Sequence, residues 1–483
     1  MTYPNVLVLN YLQATRQANP EVELKAEHYV GLGYQRLLTF EVGGGGFSLF
    51  GGPPAEVFLT AYGLMEFTDM AKVYPVDETL VQRTARWLLS QQAADGSWGA
   101  DRTYTSEHWQ IDAQVPGTAF VTWALIEAGY KDTPEVGRAI AYLRQAMAEP
   151  SQASEPADAY GLALVANALV AYDSSHSTTQ QTLEELYRSR VEENGVVHWQ
   201  AALPSFMGSI GQSGSVETTA LAATALMRGQ LHPQAVSGAL AYLIRTKDSY
   251  GTWGSTQATI LALKALLLAT QQAGQAQGTA SVRVSLNQEQ TQVITVDAAT
   301  ADVVLMVSFD HGLSPSGANR VQLDVAADQE TNMMYQVATS YYVPWSRLPP
   351  APPEQEPMDI RVSYDRRTLA VNDTLTVTVR ATLNLTGVLK MGLLDLGVPP
   401  GFSVLSEDLD RLVGQAMIAR YELTPRQIIV YLENFSSEKP LQFSYRLRAR
   451  FPLRAQTPPS SAYDYYNPDQ STTLAPVQMI VSQ

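Results

Sequence analysis

The chain has 483 residues, of which 45% are hydrophobic, with a formal net charge of -15 and no cysteine. That length suits about two to four domains of ~100–200 residues each and supports large apolar cores. The acidic balance argues against nucleic acid and anionic membrane surfaces as partners, since both need a concentrated basic face. The absence of cysteine excludes disulfides, zinc thiolates and a Cys nucleophile.

The first residues, Met1-Thr2-Tyr3-Pro4-Asn5, lack the basic stretch and small-residue cleavage site of a signal peptide. An export signal, if the protein is exported, is expected upstream. No apolar run reaches the ~18 residues of a membrane-spanning helix. From residue 5 to 272 the pattern is helical, with apolar residues at helical spacing in Val57–Phe67, Thr118–Ala128, Tyr160–Tyr172, Thr218–Met227 and Thr259–Leu268, and Val6–Gln13 ahead of them. These read as inner helices. More amphipathic segments at 22–40, 78–93, 134–148, 178–192 and 233–246 read as outer helices. Between outer and inner helices lie turns rich in Gly and aromatics: Gly43–Phe50, Asp95–Gly99, Asn194–Trp199 and Tyr250–Gly254.

The unit recurs every ~40–55 residues, the signature of a repeat array. Helices apolar all round must be enclosed by protein, so two concentric helical rings, an (α/α)6 toroid, are expected. One outer helix is missing from the count, at the N-terminus. The expectation is therefore an uncovered apolar seam along Val6, Leu7, Leu9 and Leu12, and no strand within 55–270.

Beyond Gly274 the texture changes to strands. Val282–Leu286 and Val303–Val307 have strand composition, and Arg361–Tyr364 and Thr374–Val379 alternate. Pro349–Pro353 reads as a stiff linker. Domains are thus expected at 1–275, 276–350 and 355–483, a multidomain α and β chain whose toroid is followed by antiparallel β-sandwich domains. A short helix is allowed near Glu407–Gly414.

Arg86–Trp98 resembles the glutamine–tryptophan motif of triterpene cyclases, which also use helical toroids. Those enzymes need an aspartate cluster that this sequence lacks. A polysaccharide-active toroid needs paired carboxylates in a cleft, for which Asp101, Glu107 and Asp112 are the candidates; turn carboxylates ordinarily cap helices. His28, His176, His198, His232 and His311 show no metal-ligand spacing, so neither metal nor cofactor is expected. Trp98, Trp199 and Trp253 read as packing anchors of their turns rather than a sugar platform. Gly43–Gly46 lacks the Lys and Ser/Thr of a phosphate loop.

Several segments together resemble the alpha-2-macroglobulin and complement thioester-protein family. They are Tyr3–Leu12, Pro20–Lys25 with Gly33–Arg36, Phe50-Gly51 with Leu59–Tyr62, Val197–Trp199, Val216–Thr218 and Gly254–Thr259, then Val398–Phe402 and Ala462–Asp469. Their collinear order covers nearly the whole chain and is similar to the C-terminal portion of a bacterial-type alpha-2-macroglobulin.

The resemblance implies that 1–275 is most of a thioester-type domain. Residues 276–350 would be the returning half of a CUB-like β domain, and 355–483 a receptor-binding-like sandwich. It implies a protease inhibitor or trap rather than an enzyme, extracellular or in the periplasm or cell envelope, with proteases as targets and upstream macroglobulin domains as partners. The family's Cys-Gly-Glu-Gln motif should lie a few residues before Tyr3, and no Cys occurs in the chain. No catalytic residue is therefore expected within it. In some complement relatives a His in the loop after the second turn attacks the thioester. Here His108 occupies that loop, offset by a couple of residues, and the expectation is an ordinary loop histidine. Tyr463, Tyr465 and Tyr466 fall where the family makes receptor contacts, so they are the candidate interaction region.

Overall fold

The computed structural model describes residues 2–15, 20–49, 51–99, 114–148, 158–206, 208–248, 251–273, 279–297, 300, 305–314, 317–328, 333, 335, 337–339, 341–347, 358–384, 387–465 and 467–483. They fall into two compact units, 1–206 with 210–339, and 340–483 with 207–209.

The first unit is built on eleven helices. The inner ones are α1 (Thr2–Thr15), α3 (Val57–Met70), α5 (Gln114–Glu127), α7 (Ala159–Tyr172), α9 (Gly211–Gly229) and α11 (Thr256–Ala273). The outer ones are α2 (Pro20–Leu38), α4 (Glu78–Ser90), α6 (Pro134–Ala148), α8 (Ser177–Arg188) and α10 (Pro233–Thr246). Each inner helix packs on the next, and α11 packs on α1 and closes the ring. Because the chain alternates between rings, the inner helices share one direction. The layering follows composition. In α7 every residue from Ala159 to Val170 is buried, whereas α4 buries only Leu80, Thr84, Ala85 and Leu88, one face at helical spacing.

Two expectations fail here. Val6, Leu7, Leu9 and Leu12 are all buried, because α1 lies among α2, α3 and α11. Ala26, Val30, Phe67, Met70 and Ile260 join it in one apolar cluster. Three neighbours suffice to cover the helix, and no seam results. Nor is 55–270 free of strands: β1 (Val191–Glu193) and β2 (Val196–His198) form an antiparallel hairpin. Its two-residue turn is Asn194-Gly195, both at positive φ, the geometry that Asn-Gly favours because it matches strand twist.

After α11 the same unit carries a three-stranded antiparallel sheet of β3 (Ala280–Leu286), β4 (Gln290–Val296) and β5 (Val321–Ala327), in the order β4-β3-β5. It is weakly covered: Val293 and Val325 are exposed.

The second unit is a sandwich. Its strands are β6 (Met358–Tyr364), β7 (Thr368–Ala370), β8 (Thr374–Leu383), β9 (Val388–Gly397), β10 (Phe402–Val404), β11 (Arg420–Leu423), β12 (Gln427–Ser436), β13 (Leu441–Ala449), β14 (Leu453–Gln456), β15 (Ser460–Asp464), β16 (Asn467–Leu474) and β17 (Gln478–Ser482). The sheets run β10-β13-β8-β6, β11-β12-β9-β15-β16 and β14-β17-β7. All pairings are antiparallel except β17 with β7. Alternating residues of β8, β9, β12 and β13, including Val377, Val379, Leu394, Leu396, Val430 and Tyr445, share one core. The short helix α12 (Ser406–Gly414) fits the expected excursion. Its Asp408 anchors it, accepting from Arg446 Nε at 2.8 Å and Nη2 at 3.0 Å.

Candidate functional site

The turns between rings are built to one plan. At the end of α4, the Trp98 indole N–H donates to Leu88 O at 2.8 Å, and its backbone N–H donates to Thr118 Oγ1 of α5 at 3.0 Å. Trp199 does the same with Leu186 O (2.6 Å) and Thr219 Oγ1 (3.0 Å). Trp253 does so with Leu243 O (2.6 Å) and Thr259 Oγ1 (3.1 Å). Each tryptophan thus adds a second donor to a carbonyl near the end of an outer helix, one that also accepts from Gln91 N–H, Ser189 Oγ or Thr246 Oγ1 respectively, while tying the turn to the next inner helix. At the first turn Phe47 takes the tryptophan's place, and its N–H donates to Thr60 Oγ1 at 2.8 Å. These three indoles are buried and serve as packing anchors.

At the N-terminal mouth of the inner ring, Phe206 packs 4.5 Å from Phe58 and 6.0 Å from Tyr160, and Phe58 packs 4.7 Å from Phe120. Ala202 N–H donates to Asp158 Oδ1 at 2.9 Å. The aromatic rings join α3, α5 and α7 at that end.

Deeper in the ring lies a polar network. Tyr3, in the first turn of α1, donates to Asp69 Oδ2 of α3 at 2.6 Å. Lys264 of α11 donates to the same oxygen at 2.7 Å and to the Tyr3 oxygen at 3.2 Å. Lys72 donates to Asp69 Oδ1 at 2.7 Å. Burial alone would raise the Asp69 pKa, but the two ammonium groups overcome it and hold the carboxyl far below the usual carboxylate range. The Tyr3 phenol is pushed up by burial and by Asp69. Glu66, one turn before Asp69, is pushed up from 4.5 to about 7 by burial, with Asp69 adding to it. On the far side of Lys264, Glu127 accepts from the Trp123 indole at 2.9 Å and from Arg228 Nη1. Burial raises its pKa, but Arg228 brings it below the usual range. Lys264 also lies 5.6 Å from the Tyr3 ring and 5.9 Å from the Trp123 ring. Asp69, engaged by two ammonium groups and a phenol, is held as the ionised carboxylate.

His108, Asp101, Glu107 and Asp112 lie outside the described residues, as does Tyr466. Tyr463 sits on β15 opposite Leu393 of β9, which lies opposite Tyr431 of β12. Its phenol is pushed up to about 12 by burial, with the Asp395 charge adding to it. Tyr465 is exposed beyond the end of the strand. His198 stacks on Tyr242 at 4.8 Å, His176 caps α8 through Nδ1, and His232 stacks on Tyr187 at 3.5 Å. Among the described residues no group of three or more His, Cys, Asp or Glu side chains could hold a metal ion. No helix among them is long and apolar enough to cross a membrane. The Tyr3–Asp69–Lys264 network escaped sequence reasoning, because its members lie up to 261 positions apart.

The profile of the A-macroglobulin TED domain matches residues 1–268, and that of the A-macroglobulin receptor binding domain matches residues 388–475. Ovostatin of Gallus gallus is 24% identical over 491 aligned positions, covering 97% of this chain and 32% of ovostatin. The chain thus spans about a third of that relative's length. Native alpha-2-macroglobulin from Escherichia coli, spanning domain MG7 to the C-terminus, superposes with a TM-score of 0.63 at 16% identity, over 98% of this chain and 70% of that one. Salmonella alpha-2-macroglobulin reacted with methylamine gives a TM-score of 0.62 at 16% identity, over 98% of this chain and 28% of that one.

Proposed function

The chain belongs to the A-macroglobulin family, and on that premise we propose that it serves as the thioester-type and receptor-binding-type part of a longer protease trap acting outside the cytoplasm. The observation that carries this reading is the order of the two matched domains in one chain, 1–268 before 388–475, on a closed ring of six inner helices. In this reading 1–275 is the thioester-type domain, 276–350 the returning half of a CUB-like domain and 355–483 the receptor-binding-like sandwich. The weakly covered β4-β3-β5 sheet supports the second assignment, since half a domain leaves strand edges for its other half. Tyr463, Tyr465 and Tyr466 are the proposed contact region of the sandwich.

Covalent capture needs a thioester, and these 483 residues hold no cysteine. The reactive Cys-x-x-Gln is therefore sought upstream of Tyr3 in the longer protein. His108 is assigned a loop role, so the activated thioester should prefer amines to hydroxyls. The test is incubation of the 483-residue chain and of the longer protein with a serine protease and a fluorescent amine. The chain alone should form no conjugate, and the longer protein should form a detergent-stable one. A conjugate on the chain alone, or a longer protein that retains no protease, overturns the reading.

A further inference from the structure

The buried core of the helical unit divides into two clusters, bridged by Tyr62, Val81 and Leu263. The buried residues of α5, α7 and α9 belong to a single large cluster. Those of the α1–α2 hairpin (Tyr3, Val6, Leu9, Ala26, Val30 and Tyr34) belong to a separate one. The two clusters meet on α3, where Ala61 and Leu64 face the large one and Phe67 and Met70 the small one, and on α11 through Leu261 and Ile260. The hairpin is also peripheral: Leu24 and Leu32 of α2 are 68% and 58% exposed. Its two helices are locked to each other, since a Cβ at Gly33 would lie 1.9 Å from Thr2 Oγ1. Phe67 and Met70 of α3, Leu80 of α4 and Ile260 of α11 share the small cluster, so opening the hairpin exposes that cluster and leaves the large one intact, the pattern of a local unit less stable than the ring behind it.

It is held by that apolar cluster and by one polar joint. Tyr3 Oη, Asp69 Oδ2 and Lys264 Nζ are mutually bonded at 2.6, 2.7 and 3.2 Å, joining the first turn of α1 to both flanking inner helices. We infer that the α1–α2 hairpin is a separately opening lobe of the ring, and that Tyr3, Asp69 and Lys264 form the latch that seats it. Its meaning for capture rests on the reading above, in which the reactive segment immediately precedes α1. The latch then governs how readily that segment changes position, with Tyr3 as a positioning residue.

Hydrogen–deuterium exchange on the 483-residue chain tests it. In the wild type, amides of α1 and α2 should exchange faster than those of α7 and α9. Tyr3→Phe removes one oxygen, which bonds a charged partner. It should speed exchange in α1 and α2 on the order of tenfold or more, leaving α7 and α9 unchanged. The triple variant Tyr3→Phe/Asp69→Leu/Lys264→Met, which replaces the whole polar joint with apolar bulk, should return the hairpin toward wild-type protection. Equal protection of α1, α2, α7 and α9 in every variant would show one cooperative ring and overturn the proposal. So would a Tyr3→Phe hairpin no faster than wild type. A longer protein that captures no protease would leave the latch standing and remove only its role in capture.

Discussion

Trp98→Phe is the sharpest test of how the ring is assembled. The Trp98 indole is 1% exposed and donates to Leu88 O, whose residue is 0% exposed. Phenylalanine keeps most of the apolar ring and removes the donor. Leu88 O keeps its bond from the Gln91 N–H, so the loss is one net hydrogen bond, about 0.5–1.5 kcal/mol. The smaller ring adds a void worth about 1 kcal/mol at ~24 cal/mol per Å3. The expected loss is therefore about 1.5–2.5 kcal/mol, and the same loss is expected for Trp199→Phe and Trp253→Phe, which break bonds of the same kind to carbonyls that likewise keep a second donor. Thr118→Val removes the other half of the tie, the acceptor of the Trp98 amide, and should cost about 1–3 kcal/mol. Thr60→Val should cost as much, although Phe47 carries no indole. The assay is urea unfolding followed by far-UV circular dichroism, because tryptophan fluorescence would change with the substitution itself. Three Trp→Phe variants each within about 0.5 kcal/mol of wild type, the range of neutral surface changes, would refute the reasoning.

In the sandwich, burial pushes the Asp395 carboxyl up from 3.8 to about 6. A carboxyl raised on folding favours the folded state most below its ordinary value, and that advantage is lost as pH rises through about 6. Asp395→Asn should remove this fall and leave the variant about 1 kcal/mol more stable than wild type at neutral pH, after allowance for partial exposure; pH-dependent unfolding of the chain measures it. Asp408→Ala deletes the carboxylate that takes two bonds from the Arg446 guanidinium, one from the Arg446 backbone N–H and one from Arg411, and should cost about 2–3 kcal/mol, with α12 the first element to lose amide protection.

The ring and the sandwich were legible because periodicity records burial. The inner helices announce themselves by being apolar on every side, as α7 shows, and the turn tryptophans Trp98, Trp199 and Trp253 mark three of the repeats. The Asn194-Gly195 hairpin was equally visible, since that dipeptide flanked by Val191 and Val196–Val197 is a strong two-residue turn signal. It was obscured by the helical pattern on both sides. The expected seam on α1 failed for a different reason. Counting helices gives the layers but not how far each neighbour leans over a given face, and α2, α3 and α11 together cover Val6 and Leu9 completely enough. The polar network could not be read at all. Tyr3, Asp69 and Lys264 carry no shared spacing, and only closure of the ring brings them together.

That closure separates two length scales in the assembly of the ring. Successive inner helices meet across short intervals, as when Asn167 bonds Leu221 O 54 positions away. The joint between α1 and α11 spans 261. Loop entropy grows only with the logarithm of length, about 0.6 kcal/mol per doubling, so the fivefold longer span adds only about 1.4 kcal/mol. Closing the circle is thermodynamically cheap, yet its contacts have the widest sequence separation in the ring. Without that joint the helices form only an open arc of neighbouring contacts. The final joint then turns a string of near-neighbour contacts into a structure with no free end.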